Sequence, residues 1–412
     1  MISVHARRLV AGSMDRPIEV RRRYHLAPDG LSVREIRVLQ SESDFASTCE
    51  SRLSFDGGST FTDWQDDFAS FYENNNGTET LIHNCLICEF FNPVQQHYVG
   101  AYMERVYPGG RRKCFDAYFA GSNMPYTERV VLTLRKPGAT EYTKQYIDFD
   151  IDHSNAYFGT NIEVLACGDI LVPLGPNVRT CCRIAGLDVD TVFPSSPDIM
   201  RGVIIARGRW NAEKAGYEFS FSKPIVAPDV FTSRGLDEPT VAELESGRII
   251  VVCRGSNVVN PAWHTRISRT AVGYKWFTFS DDGGKTFAPI MPWHMDTRES
   301  VHSSATISQF FRIPGKGMYW VGNITDPAIT SGNFPRFPLL IARIDETDGT
   351  LIKDSITVID TKRTDEPVGV QLSNFYGYVD KDELDITLTK FCQYSEQAAF
   401  HGDTWNYRIA FE

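Results

Sequence analysis

The sequence predicts an all-β chain folded as a single β-propeller of four-stranded blades. Strand-like runs of Val, Ile, Thr and aromatic residues alternate with Gly, Pro, Asn and Asp clusters from end to end, with no convincing long amphipathic helix between them. One octet occurs twice after β-rich sequence, as Ser54-Phe55-Asp56-Gly57-Gly58-Ser59-Thr60-Phe61 and Ser280-Asp281-Asp282-Gly283-Gly284-Lys285-Thr286-Phe287. Five segments with the character of an innermost strand begin near His83, Gly159, Glu238, Ser303 and Ser373, 65 to 79 residues apart. That interval is what a four-stranded blade with its loops occupies.

Taken in order, residues 20–64 supply a blade that ends in the first octet. Both octets fit Ser-x-Asp-x-Gly-x-Thr-aromatic, and the pattern has a physical logic. The Asp carboxylate caps the N–H groups of a tight turn, Gly supplies a positive φ, and Ser and Thr fasten the ends. Ser54, Asp56, Gly58 and Thr60, with Ser280, Asp282, Gly284 and Thr286, are therefore read as structural. Hairpins follow at 159–165 and 238–244. Residues 405–411 and 2–6 are expected to share one blade and close the ring, which removes exposed sheet edges. The count is six blades, or seven if the N-terminal part is divided differently. No linker, low-complexity tract or charge block marks a second domain, so residues 1–412 are read as one.

Hydrophobic residues at 42% and charged residues at 23% are ordinary globular values, so a large core is within reach. A net charge of −10 argues against nucleic acid as a partner but leaves room for a cleft in which a few Arg reverse the potential. No apolar run is long enough to span a membrane. The first ten residues lack the apolar core of a signal peptide, so an intracellular chain and a mature secreted one both fit. Nine cysteines is an odd number, and Cys85-x-x-Cys88 lies in a run that reads as a buried strand rather than a zinc site. No metal signature is present and no cofactor is expected. A structural Ca²⁺ is compatible with the many Asp and Glu, although no residue set points to one. A monomer is expected.

In a propeller the first residues of the innermost strands converge at one face. That convergence nominates His83 and Asn84, Tyr157 and Asn161, Asp237 and Glu238, His302, and Asn374 with Tyr376. His, Tyr, Glu and Asn gathered from different blades suit a glycan site. Taken singly, each is more often a structural hydrogen-bonding group.

The two octets are similar to the Asp-box (BNR) repeats of the sialidase-like β-propellers. The resemblance implies that they join the outer strands of a blade, away from the active-site mouth. Residues 237–254 resemble the sialidase segment in which a mouth Glu is followed, after a hairpin, by an Arg of the substrate-carboxylate triad. This implies Glu238 as the site carboxylate and Arg254 as a carboxylate binder, a role that suits the planar, permanently charged guanidinium fork. Arg336, in a Pro-stiffened loop, falls where the family places another such arginine. The family's N-terminal Phe/Tyr-Arg-Ile-Pro motif is absent from the first blade, where Arg21, Arg22 or Arg23 is the substitute. Phe311-Arg312-Ile313-Pro314 has the letters late in the chain and reads as coincidence. Asp44 stands roughly at the place of the family's acid. The nucleophilic tyrosine should open the last innermost strand, and Tyr376 comes several residues late.

A second chemistry fits the same funnel. β-Elimination at a uronate needs a cation on the carboxylate, a base for the C5 proton and an acid for the leaving oxygen, and His and Tyr are the usual proton carriers. His83 is the first choice because it is expected to open an innermost strand, and His302 the second. His97 and His153 rank below them. The fold, the displaced tyrosine and the extra histidines together resemble the propeller-type rhamnosyl-glucuronate lyases. The resulting expectation is a lyase acting on an acidic oligosaccharide or polysaccharide, with His83, His302, Glu238 and Tyr376 catalytic. Arg254, Arg336, Asn84, Tyr157, Asn161 and Asn374 are then substrate-binding. The alternatives are a sialidase-type hydrolase using Glu238 and Asp44, and a glycan-binding propeller without catalysis.

Overall fold

In the computed structural model, the described residues are 2–13, 16–42, 45–67, 69–75, 78–84, 86–119, 126–150, 155–194, 200–258, 271–392 and 401–412. The chain divides into two compact units, one of residues 1–68 with 293–412 and the other of residues 69–292. The sheets form because buried and exposed positions alternate at the strand period. Ile18–His25 shows this directly, with Ile18, Val20, Arg22 and Tyr24 buried and the residues between them half-exposed.

Six sheets make the six blades of a β-propeller, the count favoured by the sequence. Strand β1 (Ile2–Val10) comes first. It is followed by one sheet of β2 (Ile18–His25), β3 (Val33–Glu42), β4 (Phe45–Ser54) and β5 (Gln65–Asp66). The second unit begins with a six-stranded sheet. Its strands are β6 (Ala69–Asn75), β7 (Thr78–Asn84), β8 (Leu86–Asn92), β9 (His97–Pro108), β10 (Thr127–Arg135) and β11 (Thr143–Tyr146). The long β9 pairs with β8 over its first half and with β7 over its second. The next sheet holds β12 (Ala156–Phe158), β13 (Glu163–Val164), β14 (Ile170–Pro176), β15 (Ile204–Asn211) and β16 (Gly216–Phe221). Strands β17 (Asp237–Glu243), β18 (Ile249–Arg254), β19 (Lys275–Ser280) and β20 (Met291–Pro292) complete that unit. The first unit resumes with β21 (Gln309–Ile313), β22 (Gly317–Asn323), β23 (Leu339–Arg343) and β24 (Thr357–Asp360). Its last sheet is β25 (Val370–Asp380), β26 (Glu383–Cys392) and β27 (His401–Phe411), with β1 on the outer side of β27. The expected sharing of one blade by the two chain ends is therefore present, from Ile2 opposite Phe411 to Val10 opposite Thr404.

Each unit is held by apolar faces packed between consecutive sheets. In the second unit Val99, Val130 and Leu132 meet Phe158, Val172 and Leu174, and Ile205 and Leu171 meet Val241 and Val251. In the first unit Phe311, Val321 and Ile341 pack on Leu372, Leu384 and Ile386. At Gly159 two sheets approach closely: a Cβ there would lie 2.3 Å from the Pro239 carbonyl oxygen, so the β12 end and β17 touch only because this residue has no side chain.

The two octets adopt one geometry, each between the third and fourth strands of its sheet. Asp56 Oδ1 accepts from the N–H groups of Ser59 and Thr60 at 3.0 and 2.9 Å, and Thr60 Oγ1 donates to Asp56 Oδ2 at 2.6 Å. Ser54 Oγ donates to Asp56 and accepts from the Gly58 N–H. Asp282 repeats this with Lys285, Thr286 and Ser280, and Gly284 with Ser280. Gly58 and Gly284 both sit at φ 86°. Hydrogen bonds from Thr60, first through its side chain, hold Asp56 down at about 2.

Two of the expected strand starts differ from the structure. His83 is the sixth of seven residues in β7, so it approaches the end of a strand instead of opening one. His302 precedes β21 by seven residues. Local sequence misled at His83 because a strand interior and a strand start carry the same apolar, β-branched signal.

Candidate active site

In the second unit, the open ends of β12, β17 and β18 gather charged residues. Asp237 and Arg254 are register partners, and a bulge in β17 between Asp237 and Thr240 turns the intervening residues. Glu238 sits in that bulge at φ 44°, a conformation rarely adopted by a residue with a Cβ. Arg254 Nη1 donates to Glu238 Oε2 at 2.7 Å, with the two side chains 12% and 13% exposed. Burial opposes the charge on Arg254, but Glu238 and Asp237 outweigh it and hold the guanidinium proton more firmly than usual. Burial likewise opposes ionising Asp237, yet Arg254, Arg201 and Arg234 keep its carboxyl below the ordinary range.

Tyr157 lies beside this pair, on β12. The Arg105 and Arg201 guanidinium carbons lie 5.6 and 5.1 Å from its ring centroid. Both arginines bind one fully buried carboxylate: Arg105 Nε donates to Glu128 Oε1 at 2.9 Å and Arg201 Nη2 to Oε2 at 2.8 Å. Arg201 Nη1 also donates to the Gly175 carbonyl, opposite Tyr157 in the ladder. Burial first, then the Glu238 charge, pushes the Tyr157 phenol well above its ordinary value. Arg105, Glu128 and Arg201 were not among the sequence candidates. Glu128 stands in Thr-Glu-Arg-Val-Val with no local mark, and its meaning comes from two arginines 23 residues before and 73 residues after it.

The first unit holds a second group, along β25. Arg336 Nη1 donates to Gln371 Oε1 at 2.8 Å and to Ser373 Oγ at 3.3 Å, Nη2 to the Ala305 carbonyl and Nε to the Asn333 carbonyl. Three residues along the strand from Ser373, the Tyr376 hydroxyl accepts from Arg22 Nη2 at 2.8 Å. Of the three first-blade arginines it is thus Arg22 that reaches a candidate, while Arg21 pairs with Glu19 and Arg23 with Glu35. Asn374 follows the β25 bulge opposite Thr389 and is half-buried.

Of the remaining candidates, Asn161 and His97 have structural partners. Asn161 is no substrate ligand: it is 2% exposed, its Nδ2 donates to the Val241 carbonyl, and its Oδ1 accepts from Thr240 Oγ1 and the Val241 N–H. It clamps neighbouring sheets. His302 offers its carbonyl to the Thr325 N–H at 2.9 Å. The His83 backbone lies opposite Ser70 and Arg105. The side chains of His83 and Asn84, and all of Asp44, Cys85 and His153, lie outside the described residues. His97 is a core imidazole, bonded to the Tyr217 hydroxyl at 3.0 Å. Arg312 is an exposed partner of Glu346, in keeping with a coincidental motif. Among the described residues no group of three His, Cys, Asp or Glu gathers to hold a metal ion.

Comparison with solved structures finds the same chain architecture at low identity. A protein of unknown function from Dyadobacter fermentans matches with a TM-score of 0.57 at 11% identity over 99% of both chains. The intramolecular trans-sialidase of Ruminococcus gnavus, solved with oseltamivir carboxylate, matches with a TM-score of 0.55 at 11% identity, over 95% of this chain and 94% of that one. The fold is that of the sialidase-like β-propellers. A leech intramolecular trans-sialidase shares this sialidase-like fold with a TM-score of 0.54 at 10% identity, over 96% of this chain and 68% of that one. No protein-family model and no curated protein matches the chain.

Proposed function

We propose that this sialidase-like propeller is a carbohydrate-active enzyme that cleaves at a terminal acidic sugar, by β-elimination at a glucuronate. The observation that carries the reading is the Glu238–Arg254 pair, set in a bulge at a positive φ. A non-Gly residue held there costs about 1–3 kcal/mol, and such strain concentrates at functional sites. Arg254 has the fork that reads a carboxylate, and neutralising a uronate carboxylate stabilises the charge that develops when the C5 proton leaves. His83 is the base of this reading and His302 the second choice. In the first unit, Arg336 in the loop before β23 and Tyr376 on β25 are kept as separate candidates for substrate binding and proton transfer.

Elimination is favoured over a hydrolysis that uses Asp237 as its acid by the state of that carboxyl. A carboxylic acid that protonates a leaving group must be kept neutral, which takes a raised pKa. Asp237 is driven the other way by three arginines. The second reading, hydrolysis or transfer of a sialic-acid-like sugar with Glu238 in the site, draws on the fold likeness to the trans-sialidases.

A product assay on uronate-capped and sialate-capped oligosaccharides tests the reading. Elimination yields an ultraviolet-absorbing unsaturated uronate. Reducing sugar without that chromophore would replace elimination by hydrolysis, and binding without cleavage would end the enzyme reading. Arg254→Ala is expected to lower kcat/KM by on the order of 10²-fold on the carboxylate substrate, and far less on its carboxamide analogue. Equal losses on both would remove Arg254 from carboxylate recognition.

A further inference from the structure

We infer that Tyr157 delivers the proton to the departing sugar oxygen, and that Glu128 is the positioning residue that holds it through Arg105 and Arg201. The inference rests on the elimination reading and supplies the acid that reading leaves open. Four observations carry it. Tyr157 is half-buried at the strand end beside Glu238 and Arg254. Two guanidinium groups lie against its ring at 5.6 and 5.1 Å, fixing the ring and leaving the hydroxyl as its chemically active end. No described hydrogen bond ends on that hydroxyl, whereas the Tyr376 hydroxyl is taken by Arg22 and the Tyr217 hydroxyl by Asn92. Finally, both guanidinium groups are aimed by one carboxylate with no solvent exposure, Glu128, whose own N–H donates to Asn155 Oδ1 at 2.7 Å. A buried carboxylate shared by two arginines fixes their planes more tightly than a solvent-exposed pair would.

The step balances as follows. The base takes the C5 proton and the C5–H electron pair becomes the C4–C5 double bond. The C4–O bond breaks, and its pair goes to the departing oxygen, which takes the proton of the Tyr157 hydroxyl. Water then returns a proton to the phenolate, and the base releases its own to solvent. The phenol holds its proton before the step; burial and Glu238 make the phenolate costly, and the Arg105 charge beside the ring offsets part of that cost as the proton leaves.

The test uses the full chain and two uronates that differ only at C4, one carrying a sugar and the other an activated nitrophenyl ether whose departure needs no proton. Tyr157→Phe keeps the ring and removes the proton. It is expected to lower kcat on the sugar substrate by on the order of 10²–10⁴-fold, the usual worth of general acid catalysis. KM should hold, and kcat on the nitrophenyl ether should change little. Glu128→Gln should show the same leaving-group-selective loss in milder form, with Glu128→Asp partly restoring it. Tyr157→Phe that keeps full activity on the sugar substrate, or loses it equally on both, overturns the acid role. Glu128→Gln that slows both substrates equally overturns the positioning role. Should Glu128→Gln fail to fold, the near-isosteric Tyr157→Phe still decides the acid. No unsaturated product from the wild-type protein on any acidic glycan overturns the elimination reading and this inference with it, whereas a wild-type product with an indifferent Tyr157→Phe overturns this inference alone.

Discussion

At the scale of single residues, two neighbours with the same expected role end in opposite situations. Tyr157 and Asn161 both belong to the segment opening the third sheet, and both were read as substrate ligands. Asn161 is saturated by three hydrogen bonds to Thr240 and Val241, whereas the Tyr157 ring is held by arginines with its hydroxyl uncommitted among the described residues. Local sequence treats both as polar residues near a strand start, and only their three-dimensional partners separate them. A buried carboxyl in the other unit gives a residue-scale prediction. Asp385 Oδ1 accepts from Asn406 Nδ2 at 2.6 Å, and Arg23 is 3.9 Å away, with Asp380 and Arg408 around it and Tyr378 its register partner. Burial dominates and raises the carboxyl from 3.8 to about 6. The native state therefore holds a proton that the unfolded chain releases. The penalty is absent below about pH 4, grows between pH 4 and 6, and is complete above that. Asp385→Asn should raise the stability at pH 7–8 by up to about 3 kcal/mol and leave it unchanged near pH 4. Denaturant melts across that range check it, and an equal effect at both ends would contradict the burial account.

At the scale of elements, the octets were the most legible feature of the chain. Every bond in them closes within seven residues, so the sequence alone specifies the turn. Within the β17–β20 sheet the octet begins at Ser280, which pairs with Ile249, while the candidate Arg254 lies opposite Lys275 at the other end of the same strands. Asp282→Ala should therefore lower the melting temperature by releasing the Lys285 and Thr286 N–H groups, while kcat on an active substrate stays at the wild-type value below the melt. Loss of activity with an unchanged melt would place the octet in the chemistry. Strand β17 was equally legible, since Glu238 and Pro239 mark its start. Strand β7 was not. Its apolar run resembles a first strand, but pairing with both β6 and β9 puts it inside the sheet, a choice set by long-range ladder bonds that no local pattern encodes.

At the scale of the whole molecule, strand periodicity and the repeat interval were enough to give an all-β propeller of six or seven blades, and the six sheets decide for six. The pairing of the chain's two ends was readable too, because each end is an alternating strand that needs a partner. Removing residues 1–10 strips β1 from β27 and bares an edge that runs from Thr404 to Phe411. Such an edge invites pairing with other chains, so size-exclusion chromatography should show aggregates and the thermal melt should fall; a monodisperse species with an unchanged melt would show that β1 is dispensable. By itself the sequence determined the turns, the strand periodicity and the Glu238–Arg254 hairpin, because each depends on residues close together in the chain, whereas the choice of six blades over seven needed the sheet pairing. Only the tertiary structure decided that Glu128 gathers Arg105 and Arg201 against Tyr157, that Asn161 is a clamp, and that Arg22 is the arginine that meets Tyr376. Those outcomes depend on which distant side chains share one buried, low-dielectric space, where a charge persists only if its partner is already in place.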